Sequence, residues 1–269
     1  PNHLVKEATD NSLDESQSGN CSRIIVSADT KEFVYTIYDE GRGIPIGITE
    51  FELYGVKFEM ETLKVLTTVD KAGGKFDNTN YKISSGLHGV GLKCITALSK
   101  WAIFETRRNG QLVRVRAKDG NFEALEYEET SLPNGVMVQF QADSAVFESI
   151  EIPEDRLFEF CNIARAFGHP VELILDGNEV ELPAKNLFDL IPSEEVSTYC
   201  ETEVDSKDEA SGESLQVSLR YTSDTTSKSF GYANLIPTRH GGTHVKAIEK
   251  AVEEVWSEFY GESEVELKP

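Results

Sequence analysis

The chain opens with patterns of apolar and polar residues that predict a helix followed by two strands. The helix runs from His3 to about Asp14. Two runs rich in β-branched and aromatic residues, Arg23–Ser27 and Phe33–Tyr38, then predict neighbouring strands. The stretch Ala28–Lys31 between them predicts a hairpin turn.

The next part of the chain continues as a mixture of helices and strands. A long Gly- and Asn-rich stretch from Ala72 to Gly91 predicts a loop, and loops of that length are often functional lids. The remaining patterns predict helices around Glu61–Val69, Val90–Leu98 and Glu154–Phe167, and strands around Ala102–Arg107, Leu112–Ala117, Val136–Phe140 and Val171–Leu175.

A change in composition predicts a second domain. Ser, Thr, Glu and Asp dominate Glu194–Glu213, so we place a domain junction at or just before this stretch, which gives domains 1–192 and 193–269. The second domain is predicted to hold two strands and a helix, at Leu215–Tyr221, Ser229–Leu235 and Val245–Tyr260.

The last predicted helix carries an apolar stripe at the helical period, which indicates core packing rather than a ligand site. The stripe consists of Ile248, Val252, Val255, Trp256 and Phe259.

Composition predicts a cytoplasmic globular protein. The 269 residues are 39% hydrophobic, and no run approaches the roughly 20 apolar residues of a membrane span. No charged-then-apolar leader opens the chain, and we expect no membrane partner. The widely spaced cysteines are predicted to be reduced packing residues; they are Cys21, Cys94, Cys161 and Cys200.

The charge of the chain argues against direct DNA binding. Lys and Arg number 26 against 47 Asp and Glu, a net charge of -21, which repels a nucleic-acid backbone. If the protein serves DNA, other regions hold it. A polyanion such as ATP requires Mg²⁺, local lysines and backbone N–H groups here.

The opening helix carries a polar face that suits hydrolysis. His3, Glu7 and Asn11 lie four residues apart and therefore share one face. A carboxylate can activate water, a histidine can orient that carboxylate, and an Asn oxygen can bind Mg²⁺. A face that is merely solvated remains the alternative.

A second candidate follows the second strand. Asp39 ends that strand and leads into Glu40-Gly41-Arg42-Gly43-Ile44-Pro45. A buried carboxylate there could accept a hydrogen bond from the amine of adenine, with Ile44 and Pro45 against the ring. An ordinary acidic turn with glycines is the alternative.

A third candidate is a glycine-rich phosphate site. The segments Ala72–Phe76 and Gly86–Gly91 precede a predicted helix, whose N-terminal N–H groups favour phosphate, and Lys75 and Lys82 add positive charge. The spacing fits neither the P-loop nor the dinucleotide fingerprint.

In this order, the motifs EATDNSLDE from Glu7, DEGRGIP from Asp39, AGGKF from Ala72 and GLHGVG from Gly86 resemble a known family. They are similar to the Bergerat-fold (GHKL) ATPase of the B subunits of DNA gyrase and topoisomerase IV, and the GGTH motif from Gly241 is similar to the start of their transducer domain. The resemblance covers nearly the whole chain. It implies an α+β fold: a two-layer α/β sandwich followed by part of a transducer domain that is similar to ribosomal protein S5 domain 2.

The resemblance also implies roles for the catalytic and adenine-binding residues. Glu7 is then the general base, His3 its orienting partner, and Asn11 the Mg²⁺ ligand. Asp39 binds the adenine amine. The base pocket is lined by Gly43, Ile44, Pro45 and Val136, the last standing where the family usually has a threonine.

The lid and the rim of the pocket follow from the same resemblance. Lys75, Lys82 and the lid hold the phosphates, and the lid residues are Gly86, Leu87, His88, Gly89, Val90 and Gly91. Arg42 is expected to pair with Glu15, and Arg114 takes the place of a second rim arginine where aminocoumarin inhibitors bind in the family.

The implied function is ATP binding and hydrolysis that drive subunit dimerisation and DNA strand passage in a type IIA topoisomerase. The implied partners are a second B-type chain and an A-type DNA cleavage subunit. A MutL-like ATPase and a catalytically weak structural module remain alternatives; AGGKF and GGTH count against the first, and the retained Glu7 against the second.

Two family segments are expected outside this sequence: an N-terminal arm before Pro1 and a lysine-bearing loop after Pro269. We therefore expect weak hydrolysis and weak dimerisation from this piece. His240 and His244 flank two glycines, so a turn is favoured there over a zinc site, and His169 is expected to pack or lie in a loop.

Overall fold

The computed structural model describes residues 1–53, 55–69, 91–191, 198–207, 214–222, 228–233, 235–238 and 240–260. The chain packs as two compact units. The first comprises Pro1–Arg165 with His169–Leu182, and the second comprises Ala166–Gly168 with Pro183–Pro269. The boundary at residues 192 and 193 remains a prediction.

The helices of the first unit are α1 Asn2–Gln17, α2 Thr62–Thr68, α3 Gly91–Leu98 and α4 Glu154–Ala166. Its strands are β1 Ile24–Asp29, β2 Val34–Asp39, β3 Ile48–Leu53, β4 Val56–Glu61, β5 Ser99–Arg108, β6 Gln111–Lys118, β7 Asn121–Phe122, β8 Glu126–Glu129, β9 Gly135–Ala142, β10 Val171–Leu175 and β11 Asn178–Val180. Nine of these strands form a mostly antiparallel sheet of order β11-β10-β1-β2-β9-β5-β6-β7, with β8 also paired to β6 and β1 parallel to β10.

The core of this unit lies between the sheet and a helix layer, because every second strand residue points to the same face. On β2 the buried side chains are Tyr35, Ile37 and Asp39. Helix α1 packs on β2 and on α3, and α3 also packs on β5 and β9. This is the two-layer α+β arrangement that the resemblance implied.

The hairpin of β3 and β4 was not predicted. Apolar and charged residues alternate along it, and Phe51 stacks on Phe58 across the strands with ring centroids 5.6 Å apart. The glutamates Glu50, Glu52 and Glu59 lowered the hydrophobic signal, although the period of two was present. The first hairpin also differs slightly, because β1 continues to Asp29 and the turn follows it.

The second unit contains β12 Thr198–Lys207, β13 Ser214–Thr222, β14 Tyr232–Ala233, β15 Ile236–Pro237, α5 Thr243–Tyr260 and a 3₁₀ turn at Leu187–Leu190. The stretch Glu194–Glu213 was predicted as a polar junction, but it contains β12, which pairs along its length with β13. The predicted strand Ser229–Leu235 shrinks to Tyr232–Ala233.

The apolar stripe of α5 is divided. Ile248, Val252 and Trp256 are half-buried, and the Trp256 ring stacks on Tyr221 with centroids 6.1 Å apart. Val255 is 55% exposed and Phe259 77% exposed, so the prediction that the whole stripe packs into a core was wrong.

The remaining sequence predictions concern histidines, cysteines and membrane spans. His240 lies in a turn and α5 begins only at Thr243, while His169 is half-buried and lies 3.0 Å from the Ser16 hydroxyl. Cys161 is fully buried, and burial raises the pKa of its thiol to about 12. Within the described ranges, no helix combines the length and apolarity needed to cross a membrane.

Candidate active site

Helix α1 carries the predicted catalytic face. Its apolar side packs inward through residues such as Val5 and Ala8, which leaves Glu7 and Asn11 half-buried one turn apart. His3 is exposed one turn before Glu7. No hydrogen bond joins His3 to Glu7, both of which lie in the described part of the chain.

Glu7 lies directly against the first residue of α3. A Cβ atom on Gly91 would stand 2.7 Å from Glu7 Oε2 and 3.3 Å from Glu7 Cβ. Only a glycine permits this approach without displacing the carboxylate. The fold therefore brings the predicted general base to the end of the predicted phosphate-binding segment. The other predicted phosphate ligands lie outside the described residues; they are Lys75, Lys82, Gly86, Leu87, His88, Gly89 and Val90.

Asp39 is a buried carboxylate, only 3% exposed, held from several elements. Its Oδ1 accepts hydrogen bonds from the backbone N–H of Gly41 at 2.9 Å and of Val136 at 3.1 Å. Its Oδ2 accepts one from the Ser12 hydroxyl at 2.9 Å. Burial raises the pKa of Asp39 above its ordinary value, and these hydrogen bonds oppose the rise only in part.

Two glycines let the backbone close around Asp39. Gly135 has a φ of +154°, and a Cβ there would stand 1.9 Å from the Asp39 carbonyl oxygen. Gly43 has a φ of +74°, and a Cβ there would stand 2.3 Å from the Arg107 carbonyl oxygen. Neither position accepts a side chain without moving the main chain.

The turn after Asp39 places the predicted base-pocket residues. Ile44 is buried, and its carbonyl accepts a hydrogen bond of 3.0 Å from the Thr106 hydroxyl. Pro45 lines a small cavity together with Thr106, Val113 and Tyr127. The turn is thereby fixed against the sheet.

The predicted rim pair is present. Arg42 donates from Nε to Glu15 Oε2 at 2.9 Å and from Nη2 to Glu15 Oε1 at 2.7 Å. Burial alone would raise the pKa of Glu15, but the hydrogen bonds and charge of Arg42 hold it below its ordinary value. This bidentate pair ties the end of α1 to the turn that follows Asp39.

Arg114 belongs to a charge cluster on β5, β6 and β8. Its guanidinium binds Glu105 Oε2 at 2.7 Å and 3.0 Å, and it lies 3.2 Å from Glu126 and 3.5 Å from Glu128. Glu105 also lies 3.6 Å from the Nε of the buried Arg107. Three carboxylates therefore hold the second predicted rim arginine.

Sequence reasoning missed Ser12 and Arg107 as site residues. Ser12 follows Asn11 directly in the sequence. Because successive helix residues point in different directions, placing Asn11 on the outer face of α1 could have predicted that Ser12 faces the sheet. Arg107 had no motif signal, because the contacts that bring it to the site, with the Asp39 carbonyl and Gly135, come from β2 and β9.

The comparisons with known proteins agree with this fold. Residues 1–121 match the family model of histidine kinase-, DNA gyrase B- and HSP90-like ATPases, and residues 180–268 match the DNA gyrase B model. The B subunit of DNA gyrase from Haloferax volcanii is 31% identical over 273 residues, covering 96% of this chain and 41% of that protein. The corresponding gyrase protein of Thermotoga maritima is 32% identical over 280 residues, covering 96% and 42%.

A solved structure has the same fold. The 43K ATPase domain of Thermus thermophilus gyrase B, in complex with an aminocoumarin, superposes with a TM-score of 0.74 at 23% identity. The match covers 98% of this chain and 69% of that one. The chain spans between about a third and about two fifths of the length of the curated relatives it matches.

Helices pack on a mostly antiparallel sheet, and α1 carries Glu7 and contacts Asp39 through Ser12. Together with the family match over residues 1–121, this arrangement places the chain in the class of GHKL ATPase regions. Within this class the chain belongs to the DNA gyrase B family, the B-type subunits of type IIA topoisomerases.

Proposed function

We propose that this chain binds and hydrolyses ATP as part of a type IIA DNA topoisomerase. One observation carries the proposal: α1 holds Glu7 against Gly91 and, through Ser12, contacts the buried Asp39. Glu7 and Ser12 are separated by a rise of about 7.5 Å along the helix. A single rigid element thus spaces a catalytic carboxylate from a base-recognition carboxylate.

Asp39 is the proposed adenine-binding residue. When ionised, its carboxylate only accepts hydrogen bonds, so it matches the exocyclic amine of adenine. A base without that amine would leave a buried acceptor unpaired, which is the strongest form of discrimination by a polar site. Ile44, Pro45 and Val136 are proposed to pack around the ring, and Gly43 gives the turn its close approach.

The phosphate end is proposed to lie at Glu7 and the start of α3. Gly91 begins that helix, where backbone N–H groups favour an anion, and Lys75, Lys82 and the Gly86–Gly91 lid are proposed to complete the site. Asn11 fits an Mg²⁺ ion, because it offers an amide oxygen half-buried on the face of Glu7. Bound Mg²⁺ supplies positive charge to the phosphates.

Glu7 is the proposed general base. It accepts a proton from a water whose oxygen forms a bond to the γ-phosphorus, while the bond from that phosphorus to the β–γ bridging oxygen breaks. The products are ADP and inorganic phosphate. His3, one turn earlier, is proposed to orient the carboxylate.

The role in a whole enzyme belongs to the same proposal. ATP binding would bring two B-type chains together and drive strand passage with an A-type cleavage subunit, in the cytoplasm, while other regions hold the DNA. The rim of Arg42 and Arg114 is the proposed contact for aminocoumarins, in keeping with the ligand of the Thermus thermophilus structure.

The test compares two carboxylates on α1. Glu7→Gln should retain the affinity for a non-hydrolysable ATP analogue with Mg²⁺ in calorimetry, and should lower single-turnover hydrolysis about 10²- to 10⁴-fold. Asp10→Asn is the matched control, because Asp10 forms its ion pair with Lys6 on the same helix. Equal hydrolysis by the two variants would remove Glu7 from the mechanism, and a wild-type chain that binds without any hydrolysis would indicate a nucleotide-dependent switch.

A further inference from the structure

Arg107 on β5 is an arginine buried in the sheet. It is 1% exposed, its guanidinium lies 4.2 Å from the centroid of the Tyr38 ring, and its Nε lies 3.6 Å from Glu105 Oε1. A buried arginine is costly unless its charge and its donors find partners. The NH₂ groups of the Arg107 guanidinium therefore need hydrogen-bond acceptors within the fold.

The guanidinium of Arg107 binds the main chain of the proposed adenine-binding residue. Its Nη2 donates to the carbonyl oxygen of Asp39 at 3.2 Å. The same Nη2 would lie 3.0 Å from a Cβ on Gly135, a position that the Asp39 carbonyl already fills. Arg107, Gly135 and the Asp39 carbonyl therefore meet at one point.

This contact replaces a bond of the β-ladder. Strand β2 pairs with β9 in the register Ile37 with Val138 and Tyr38 with Met137. Continued by one pair, an antiparallel ladder would set Asp39 opposite Val136, with the Val136 N–H directed at the Asp39 carbonyl. Instead that N–H donates to the Asp39 carboxylate, and Arg107 donates to the carbonyl.

We propose that Arg107 is a positioning residue for base recognition, a role that rests on the proposed function. By taking the Asp39 carbonyl, Arg107 releases the Val136 N–H to hold and aim the Asp39 carboxylate toward adenine. Glu105 supplies an opposite charge beside Arg107, with its Oε1 3.6 Å from the Arg107 Nε. Glu105 is 6% exposed and is itself bound by Arg114, so the support extends from the site to the edge of the sheet.

The experiment measures base discrimination rather than affinity alone. Dissociation constants are determined by calorimetry for ATP and for purine riboside triphosphate, which lacks the exocyclic amine. Arg107→Met keeps the bulk of the side chain and removes its donors, Arg107→Lys keeps a charge and a donor, and Arg116→Met is the control. Arg116 lies on β6, is partly exposed and pairs with Glu126.

Arg107→Met should weaken ATP binding about tenfold and change the affinity for the purine analogue less than about twofold, so that the preference falls. Arg107→Lys should restore part of the preference, and Arg116→Met should leave it unchanged. Equal weakening of both nucleotides by Arg107→Met would mean a purely structural role and would overturn the inference.

A second readout does not depend on how well Arg107→Met folds. In the wild-type chain the Val136 amide proton should follow the ionisation of Asp39 in a pH titration by NMR, and in Arg107→Lys this response should shrink. An unchanged response would also overturn the inference. A wild-type chain that shows no preference between the two nucleotides would instead contradict the adenine assignment of the proposed function.

Discussion

At the scale of single residues, Asp39 would fulfil its proposed role in adenine binding at the expense of stability. Its pKa is raised by burial, so the folded chain favours the protonated carboxyl. The stabilising contribution of that carboxyl is therefore complete below its unfolded pKa of about 3.9 and is lost as the pH rises through the higher folded value. At neutral pH the ionised Asp39 costs stability.

Asp39→Asn should separate these two roles. The new amide oxygen can accept from Gly41 and Val136, and its NH₂ group can donate to the Ser12 hydroxyl. We expect a higher Tm at pH 7, with the difference shrinking as the pH falls below the Asp39 pKa. We also expect about 100-fold weaker ATP binding, because the amine of adenine then meets a weaker acceptor.

Thermal unfolding at several pH values and calorimetry with an ATP analogue check this prediction. Asp29→Asn is the control, because Asp29 accepts N–H bonds in an exposed turn far along β1 from the site. A lower Tm at pH 7 for Asp39→Asn, or undiminished ATP affinity, contradicts the assignment.

The contact between Gly91 and Glu7 gives a second prediction at this scale. Gly91→Ala places a methyl group where the Glu7 carboxylate now lies, and the flexible side chain can move away at little cost to the fold. We therefore expect hydrolysis to fall about tenfold or more with a nearly unchanged Tm. Single-turnover rates and Tm are measured together, with Ala97→Ser at an exposed position of the same helix as the control. Full activity in Gly91→Ala would show that the Glu7 position is not critical.

Motif reasoning singled out Glu7 and Asp39 because the first shares a helix face with other polar residues and the second ends a strand before a glycine-rich turn. The Arg42–Glu15 pair was implied by the family resemblance. Ser12 and Arg107 escaped it for a physical reason. Their roles depend on which side of α1 meets the sheet and on how the ladder between β2 and β9 ends. The register between strands that are far apart in sequence cannot be predicted from local composition.

At the scale of elements, the helices and central strands of the first unit were predictable because apolar periodicity dominates them. The acidic hairpin of β3 and β4 and the polar strand β12 were not. Both depend on cross-strand pairs, such as Phe51 with Phe58 and Val204 with Val217. The polar composition of a single strand does not reveal such pairs.

Helix α5 provides a test at this scale, because one apolar stripe contains both packed and exposed positions. Trp256→Ser should lower the free energy of unfolding of the second unit by roughly 2 kcal/mol, since the ring stacks on Tyr221. Phe259→Ser, at a position 77% exposed, should change it by less than about 0.5 kcal/mol.

Urea unfolding followed by circular dichroism measures both values, and Val255→Ser gives a second exposed position for comparison. If Phe259→Ser costs as much as Trp256→Ser, the whole stripe is packed in solution and the sequence-based prediction was right.

At the scale of the whole molecule, the net charge of -21 and the two compact units set how the chain behaves. Acidic surfaces repel duplex DNA, so the specificity of the site must come from local groups rather than from long-range attraction. The change of composition at Glu194–Glu213 predicted two domains, but the position of the boundary depends on packing that composition does not encode.

Nucleotide should stabilise only the first unit, because all the proposed site residues lie in it. The sequence has two tryptophans, and Trp101 lies in the first unit while Trp256 lies in the second, so Trp→Phe variants report each unit separately by fluorescence. An ATP analogue at 100 times its dissociation constant adds about 2.7 kcal/mol to the state that binds it. The Trp101 transition should therefore move to higher temperature while the Trp256 transition stays in place. A shift of both transitions together would mean that the two units unfold as one cooperative body.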